Sequence, residues 1–139
     1  MKNSILIKSG SLIFFIFIAI LLLSNCSKNS TEPNQFNFPD SNLSFSRHIR
    51  PIFEENCTSS GCHSTANPAA GLDLETPAPT FMSNDGPVVF PYDADQSILY
   101  LIISTGYNGI RMPLNRTPLA QEQIQAIKTW INEGAIINN

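Results

Sequence analysis

The sequence predicts a small, mainly α-helical domain, and three observations carry that prediction. Three stretches place apolar residues at helical spacing with capping residues at their ends. No stretch shows the alternation and turn pair of a β-hairpin. The longest segment between helices is broken repeatedly by proline and has no sustained period. The domain is expected at residues 44–139, after a leader at 1–25 and a polar tether at 26–43.

Met1 to Ser11 carries Lys2 and Lys8 and no acid, and Leu12 to Leu23 then runs LIFFIFIAILLL. That run is short for a bilayer span and right for the apolar core of a secretory signal. Leu23-Ser24-Asn25-Cys26 follows at once and resembles a bacterial lipobox, in which the cysteine is lipidated and becomes the first mature residue. An uncleaved signal anchor is the alternative, and both readings put the rest of the chain outside the cytoplasm. The expected partner of Cys26 is therefore a membrane, on the periplasmic or cell-surface side. Ser27 after it favours the outer membrane, by resemblance to a bacterial sorting rule.

Ser27 to Leu43 is polar, rich in Asn and Ser, and broken by Pro33 and Pro39, which reads as a tether. A flexible chain of that length reaches roughly 20–25 Å. Phe36 and Phe38 are its exceptions and are expected to pack back on the domain. The formal net charge is −3, and loss of the leader removes two lysines and no acid. With no basic stripe, nucleic acid is excluded as a partner. A monomer is expected.

The first helix is expected over Ser46 to about Asn56, with Phe45, Ile49, Ile52 and Phe53 on one face and a late start or kink at Pro51. Ser64 to Tyr92 is the long irregular loop, holding Pro68, Pro77, Pro79, Pro87 and Pro91. A loop this long in a small domain wraps something or moves; Leu72, Leu74, Phe81, Val88, Val89 and Phe90 are its expected contacts. The second helix is expected from about Ala94 to Ser104, capped by Asp93 or Asp95 and closed at Gly106, with Ile98, Leu99 and Ile102 buried. The third runs from about Leu119 to Glu133, with Thr117 as N-cap, Pro118 in its first turn and Gly134 as its stop. Its face is Ile124, Ile127, Trp130 and Ile131.

The chemistry lies in Cys57-Thr58-Ser59-Ser60-Gly61-Cys62-His63. Cys-x-x-Cys-His is the attachment signature of c-type haem, whose two thiols bond the cofactor and whose His ligates iron. Here the spacer is four residues, a variant that still sets both sulfurs beside one porphyrin edge if it bulges. Gly61 supplies the positive φ such a bulge needs. Other readings stay open at this stretch: a Cys57–Cys62 disulfide, a zinc site with His63 and His48, and a reactive dithiol. Between the second and third helices, Gly106 to Leu114 holds Met112 beside Pro113. A thioether suits haem iron as a sixth ligand, whereas most methionines fill gaps in cores. Met82 lies on the long loop without a comparable setting.

Taken together, Ser46-Arg47-His48-Ile49-Arg50-Pro51-Ile52-Phe53, the Cys-x4-Cys-His stretch, Ser97-Ile98-Leu99, Arg111-Met112-Pro113, Pro118-Leu119 and Trp130 to Ala135 follow in an order that resembles class I-like monohaem cytochrome c domains of the planctomycete type. The resemblance covers about residues 44–136. It implies a small helical fold wrapped around one haem, with N- and C-terminal helices packed together. It also implies one covalent haem c, with Cys57 and Cys62 as thioether anchors, His63 as proximal and Met112 as distal ligand. Ala120 stands where a Ser or Thr cap is expected in such domains, and His48 where an acid is more usual, as a solvated helix residue. The function so implied is one-electron transfer to or from a redox partner protein, with no catalytic residues. Tyr100, Tyr107, Arg111 and Trp130 are candidates for contacts with the haem carboxylates. A haem enzyme or gas sensor with a labile distal ligand and a haem-free lipoprotein with a Cys57–Cys62 disulfide are the alternatives.

Overall fold

Pro51 shapes the start of the chain's first helix. In the computed structural model, which describes residues 37–139, a π-helical turn at Phe45–Ile49 leads directly into α1, Arg50–Asn56. Pro51 has no N–H to give the preceding turn, so the ladder loses one α-type bond there. The Arg50 N–H instead reaches back to the Phe45 carbonyl, which widens the turn. Ser44 Oγ accepts from the Arg47 N–H at 3.3 Å as the N-cap, and His48 Nδ1 accepts from the Ser44 N–H at 2.9 Å. His48 is thus half-buried and fastened to the helix entry. Phe45, Ile49, Ile52 and Phe53 are all buried, as their spacing predicts. The signal segment, Cys26 and Phe36 lie outside the described residues; Phe38 does pack on the core.

The second helical region is split. A 3₁₀ turn at Ala94–Gln96, capped by Asp93 Oδ1 on the Gln96 N–H at 3.1 Å, precedes α2, Ile98–Ser104. Ser97 divides them because its fully buried hydroxyl is committed elsewhere: it accepts from the Phe90 N–H and donates to the Asp93 carbonyl, both at 2.8 Å. The last helix, α3, is Gln121–Asn132. Thr117 is not its N-cap and Pro118 precedes its first turn. Ala120 is the capping position, and its N–H is taken by the Gln123 side chain at 3.0 Å. Gly134, at φ +105°, ends the helix; a side chain there would collide with the Tyr92 ring.

Two short antiparallel hairpins make the domain mixed rather than plainly all-α. β1, His63–Ser64, pairs with β2, Asn67–Pro68, and β3, Met82–Ser83, pairs with β4, Gly86–Pro87. Strands of two residues are too short to display alternation. The long loop therefore has structure of its own, including a 3₁₀ turn at Ala69–Gly71.

The first and last helical segments meet through aromatic rings. Phe45 lies 5.6 Å from Trp130, and Phe81 lies 5.3 Å from Trp130 and 6.1 Å from Phe53, centroid to centroid. Such tilted and edge-on pairs add to the burial of the rings themselves. The Trp130 Nε1–H donates to the Ile136 carbonyl at 3.0 Å, so the buried indole leaves no donor unpaired. Glu133 fastens the two chain regions from the outside, accepting from the Asn42 and Leu43 N–H groups at 2.6 and 2.9 Å. Asn132 does the same for the Ala94 N–H at 3.0 Å.

Candidate functional site

α1 ends where the site begins. The Cys57 N–H makes the last helical bond, to the Phe53 carbonyl at 2.8 Å, and the chain then turns back on itself. The His63 N–H bonds the Cys57 carbonyl at 2.9 Å, and the Cys62 N–H bonds the Ser59 carbonyl at 2.9 Å. Gly61 takes φ +80°, the conformation the bulging spacer was expected to require. The loop is therefore a closed, hydrogen-bonded turn.

His63 opens the first hairpin, and its ring is oriented by one contact. Nδ1 lies 3.2 Å from the Leu72 carbonyl. A carbonyl only accepts, so Nδ1 carries the proton and Nε2 is left with its lone pair free. That is the arrangement by which a carbonyl hydrogen-bonded to one ring nitrogen prepares the other to bind metal. Leu72 is held in turn, its N–H bonding the Ala69 carbonyl at 3.1 Å, and the Leu74 N–H returns to the His63 carbonyl at 2.9 Å. The irregular loop thus wraps back to hold the imidazole.

His63 faces a cavity of about 580 Å³. Leu72, Leu74 and Val88 line it from the long loop, Ile98, Leu99, Ile102 and Ile103 from α2, and Cys57 from the end of α1. Met112 and Ile110 complete it from the loop after α2. The volume is in the range that encloses a small cofactor, roughly 300–1,000 Å³. Its polar lining beyond Cys57 and His63 is Ser83, Asp85, Tyr107 and Asn108, and no Lys or Arg among the described residues takes part.

The Met112 loop is built as a tight turn. Tyr107 and Ile110 exchange backbone bonds at 2.8 and 3.0 Å around Asn108 and Gly109, at φ +49° and +77°. Two positive φ values in sequence define a type I′ turn, for which Asn-Gly is the favoured pair. The Met112 N–H then bonds the Ile102 carbonyl at 2.9 Å, which holds the methionine against α2.

Of the residues singled out from sequence, Cys57, His63 and Met112 line one cavity, while Cys62 is half-buried beside it. Cys57 and Cys62 are free thiols. Met82 is 48% exposed and outside the lining. Phe81 and Val89 are buried in the core instead of the lining, and Phe90 is exposed. Of the four residues expected near haem carboxylates, Tyr107 alone lines the cavity. Trp130 spends its N–H on Ile136, Tyr100 lies under the Lys128 ammonium at 4.9 Å, and Arg111 is exposed. Sequence reasoning missed Asp85 and Asn108 on the rim. The dipeptides Asp85-Gly86 and Asn108-Gly109 are the turn signals that mark them. Among the described residues, no three His, Cys, Asp or Glu side chains converge as a metal site. A zinc centre of protein ligands lacks its donors here, whereas haem iron brings four nitrogens of its own.

Burial, and then the neighbouring Cys62, push the Cys57 thiol from 9.0 up to about 12, against the pull of the Arg116 guanidinium. In the haem-free chain the folded state thus keeps Cys57 protonated where the unfolded state has ionised it. The resulting stabilisation is complete below pH 9 and is lost as pH rises toward 12. We expect Cys57 at pH 9 to alkylate at least about tenfold more slowly in the native than in the denatured haem-free chain. Equal rates would show the thiol to be solvated.

Residues 60–113 match the family model described as Planctomycete cytochrome C. The match takes in Cys62, His63 and Met112 and bears out, over that stretch, the family resemblance read from the sequence. No curated protein and no solved structure matches the chain.

Proposed function

We propose that this chain, with a planctomycete cytochrome C match at its centre, is a monohaem c-type cytochrome that carries single electrons outside the cytoplasmic membrane. The observation that carries the reading is His63: its Nδ1–H is committed to the Leu72 carbonyl, and the ring faces an apolar cavity that Met112 also lines. Haem, when bound, supplies a one-electron iron couple. The chain's residues hold and shield it. His63 and Met112 would hold the iron, and Cys57 and Cys62 would bond the haem as thioethers. The leucines and isoleucines of the lining exclude water, which tunes the potential. Tyr107 and Asn108, whose side chains line the cavity, offer hydrogen-bond donors to the haem carboxylates. Were His63 and Met112 both to hold the iron, electron transfer would be favoured over catalysis on a bound substrate. Cys26, lipidated, anchors the domain to the membrane through the tether, and the outer membrane is the proposed location.

The test is expression with a cytochrome c maturation system, followed by a pyridine haemochrome spectrum and the mass of the mature chain. We expect one haem per chain, retained on denaturation, with lipid on Cys26. The Cys57→Ala/Cys62→Ala variant should lose all denaturation-resistant haem, and Cys26→Ser should lose the lipid. A mature chain without haem overturns the reading and favours the haem-free lipoprotein.

A further inference from the structure

A side-chain relay joins the two loops that carry the proposed haem contacts. Arg116 lies on the turn after Met112, closed by its own N–H on the Pro113 carbonyl at 3.3 Å. Its Nη1 donates to Ser59 Oγ at 3.2 Å, and the Ser59 hydroxyl donates to Cys62 Sγ at 3.5 Å. Ser59 belongs to the spacer that is longer than the usual two residues.

Apart from Met112 itself, which packs on the core, the Met112 loop buries little apolar surface. Tyr107, Ile110 and Leu114 are 38%, 47% and 57% exposed, so few apolar side chains bury against the body. Loops with so little burial open locally at low cost. The Ile102 carbonyl holds the Met112 N–H from one side, and the Arg116–Ser59 bond ties down the turn on the other.

We propose that the long Cys57–Cys62 spacer and Arg116 form a latch that keeps the Met112 loop closed over the cavity and so protects the distal position from outside ligands. This rests on the haem reading above. The added spacer length is then more than a bulge: it carries a hydroxyl across to the distal loop. Arg116 is a positioning residue, acting on Met112 through the turn between them.

The latch is tested on the haem-loaded, oxidised protein by titration with imidazole, following loss of the sulfur-to-iron charge-transfer band. Arg116→Ala and Ser59→Ala should each tighten imidazole binding about fivefold, the factor matching one exposed hydrogen bond of ordinary net strength. The double variant should bind no tighter than either single one, because both remove the same contact. Arg116→Lys and Ser59→Thr keep donor and acceptor and should stay within about twofold of the parent. Hydrogen exchange of the Met112 amide should quicken by a similar factor in the Ala variants, with the Ile127 amide in α3 unchanged. Unaltered imidazole affinity in both Ala variants, or additive effects, overturns the latch. A protein that loads no haem overturns the functional reading instead, and exchange at the Met112 amide then decides the latch by itself.

Discussion

Met112→Ala should open the distal position of the loaded protein, lower its reduction potential and let carbon monoxide bind the reduced form. Met112 lines the cavity with His63, and its backbone is fixed to α2 through the Ile102 carbonyl. In the proposed haem-loaded protein an outside ligand would compete with a tethered thioether, so only the fraction of molecules with the loop open would bind it. If about one molecule in a hundred is open at a time, removing the thioether tightens carbon monoxide binding about a hundredfold. The potential falls because the thioether, with His, raises it. The charge-transfer band of the oxidised protein should vanish. Met82→Ala is the control: that side chain is half exposed on β3 and outside the lining. Loss of the band in Met82→Ala with retention in Met112→Ala would reverse the assignment. If neither variant loses it, the sixth ligand lies elsewhere; His48 is a poor substitute, since its Nδ1 is engaged at the helix entry.

Trp130→Ala should destabilise the domain by about 3–5 kcal/mol. The indole is 1% exposed, lies tilted at 5.6 Å from Phe45 and 5.3 Å from Phe81, and donates to the Ile136 carbonyl. Its removal leaves a cavity between the first and last helical segments and takes the donor from the Ile136 carbonyl. Trp130→Phe keeps the ring contacts and forfeits the hydrogen bond, so it should cost roughly 1–2 kcal/mol. Guanidinium unfolding followed by circular dichroism measures both. A loss below about 1 kcal/mol for the Ala variant would show that the aromatic cluster does not hold these segments together.

The candidate attachment motif and the helix faces were legible in the sequence because each is local. Cys57, Cys62 and His63 lie within one turn of chain, and Ile49, Ile52 and Phe53 repeat at the helical period, so spacing by itself identifies them. Met112 was legible as a candidate because a methionine in a glycine- and proline-bracketed loop is unusual. The two hairpins were not, since two-residue strands carry no period. The N-cap of α3 was misplaced at Thr117 because local propensity favours a hydroxyl. What satisfies the Ala120 N–H is the Gln123 side chain one turn on.

Residue type and spacing, with the family resemblance, singled out the candidate haem contacts: two thiols, an imidazole and a thioether, in that chain order. Only the tertiary structure decided which side of each group is available. The Leu72 carbonyl that settles the His63 tautomer lies on a returning loop, and the lining that gathers Cys57, His63 and Met112 comes from separate segments. Trp130 and Tyr100 look like polar contacts in sequence, yet Ile136 takes the N–H of one and Lys128 covers the ring of the other. Hydrogen-bond donors and ring faces are committed to whatever partner the fold brings nearest, and those partners are distant in the chain. Arg116 and Ser59 meet for the same reason: their pairing depends on two loops folding onto one cavity.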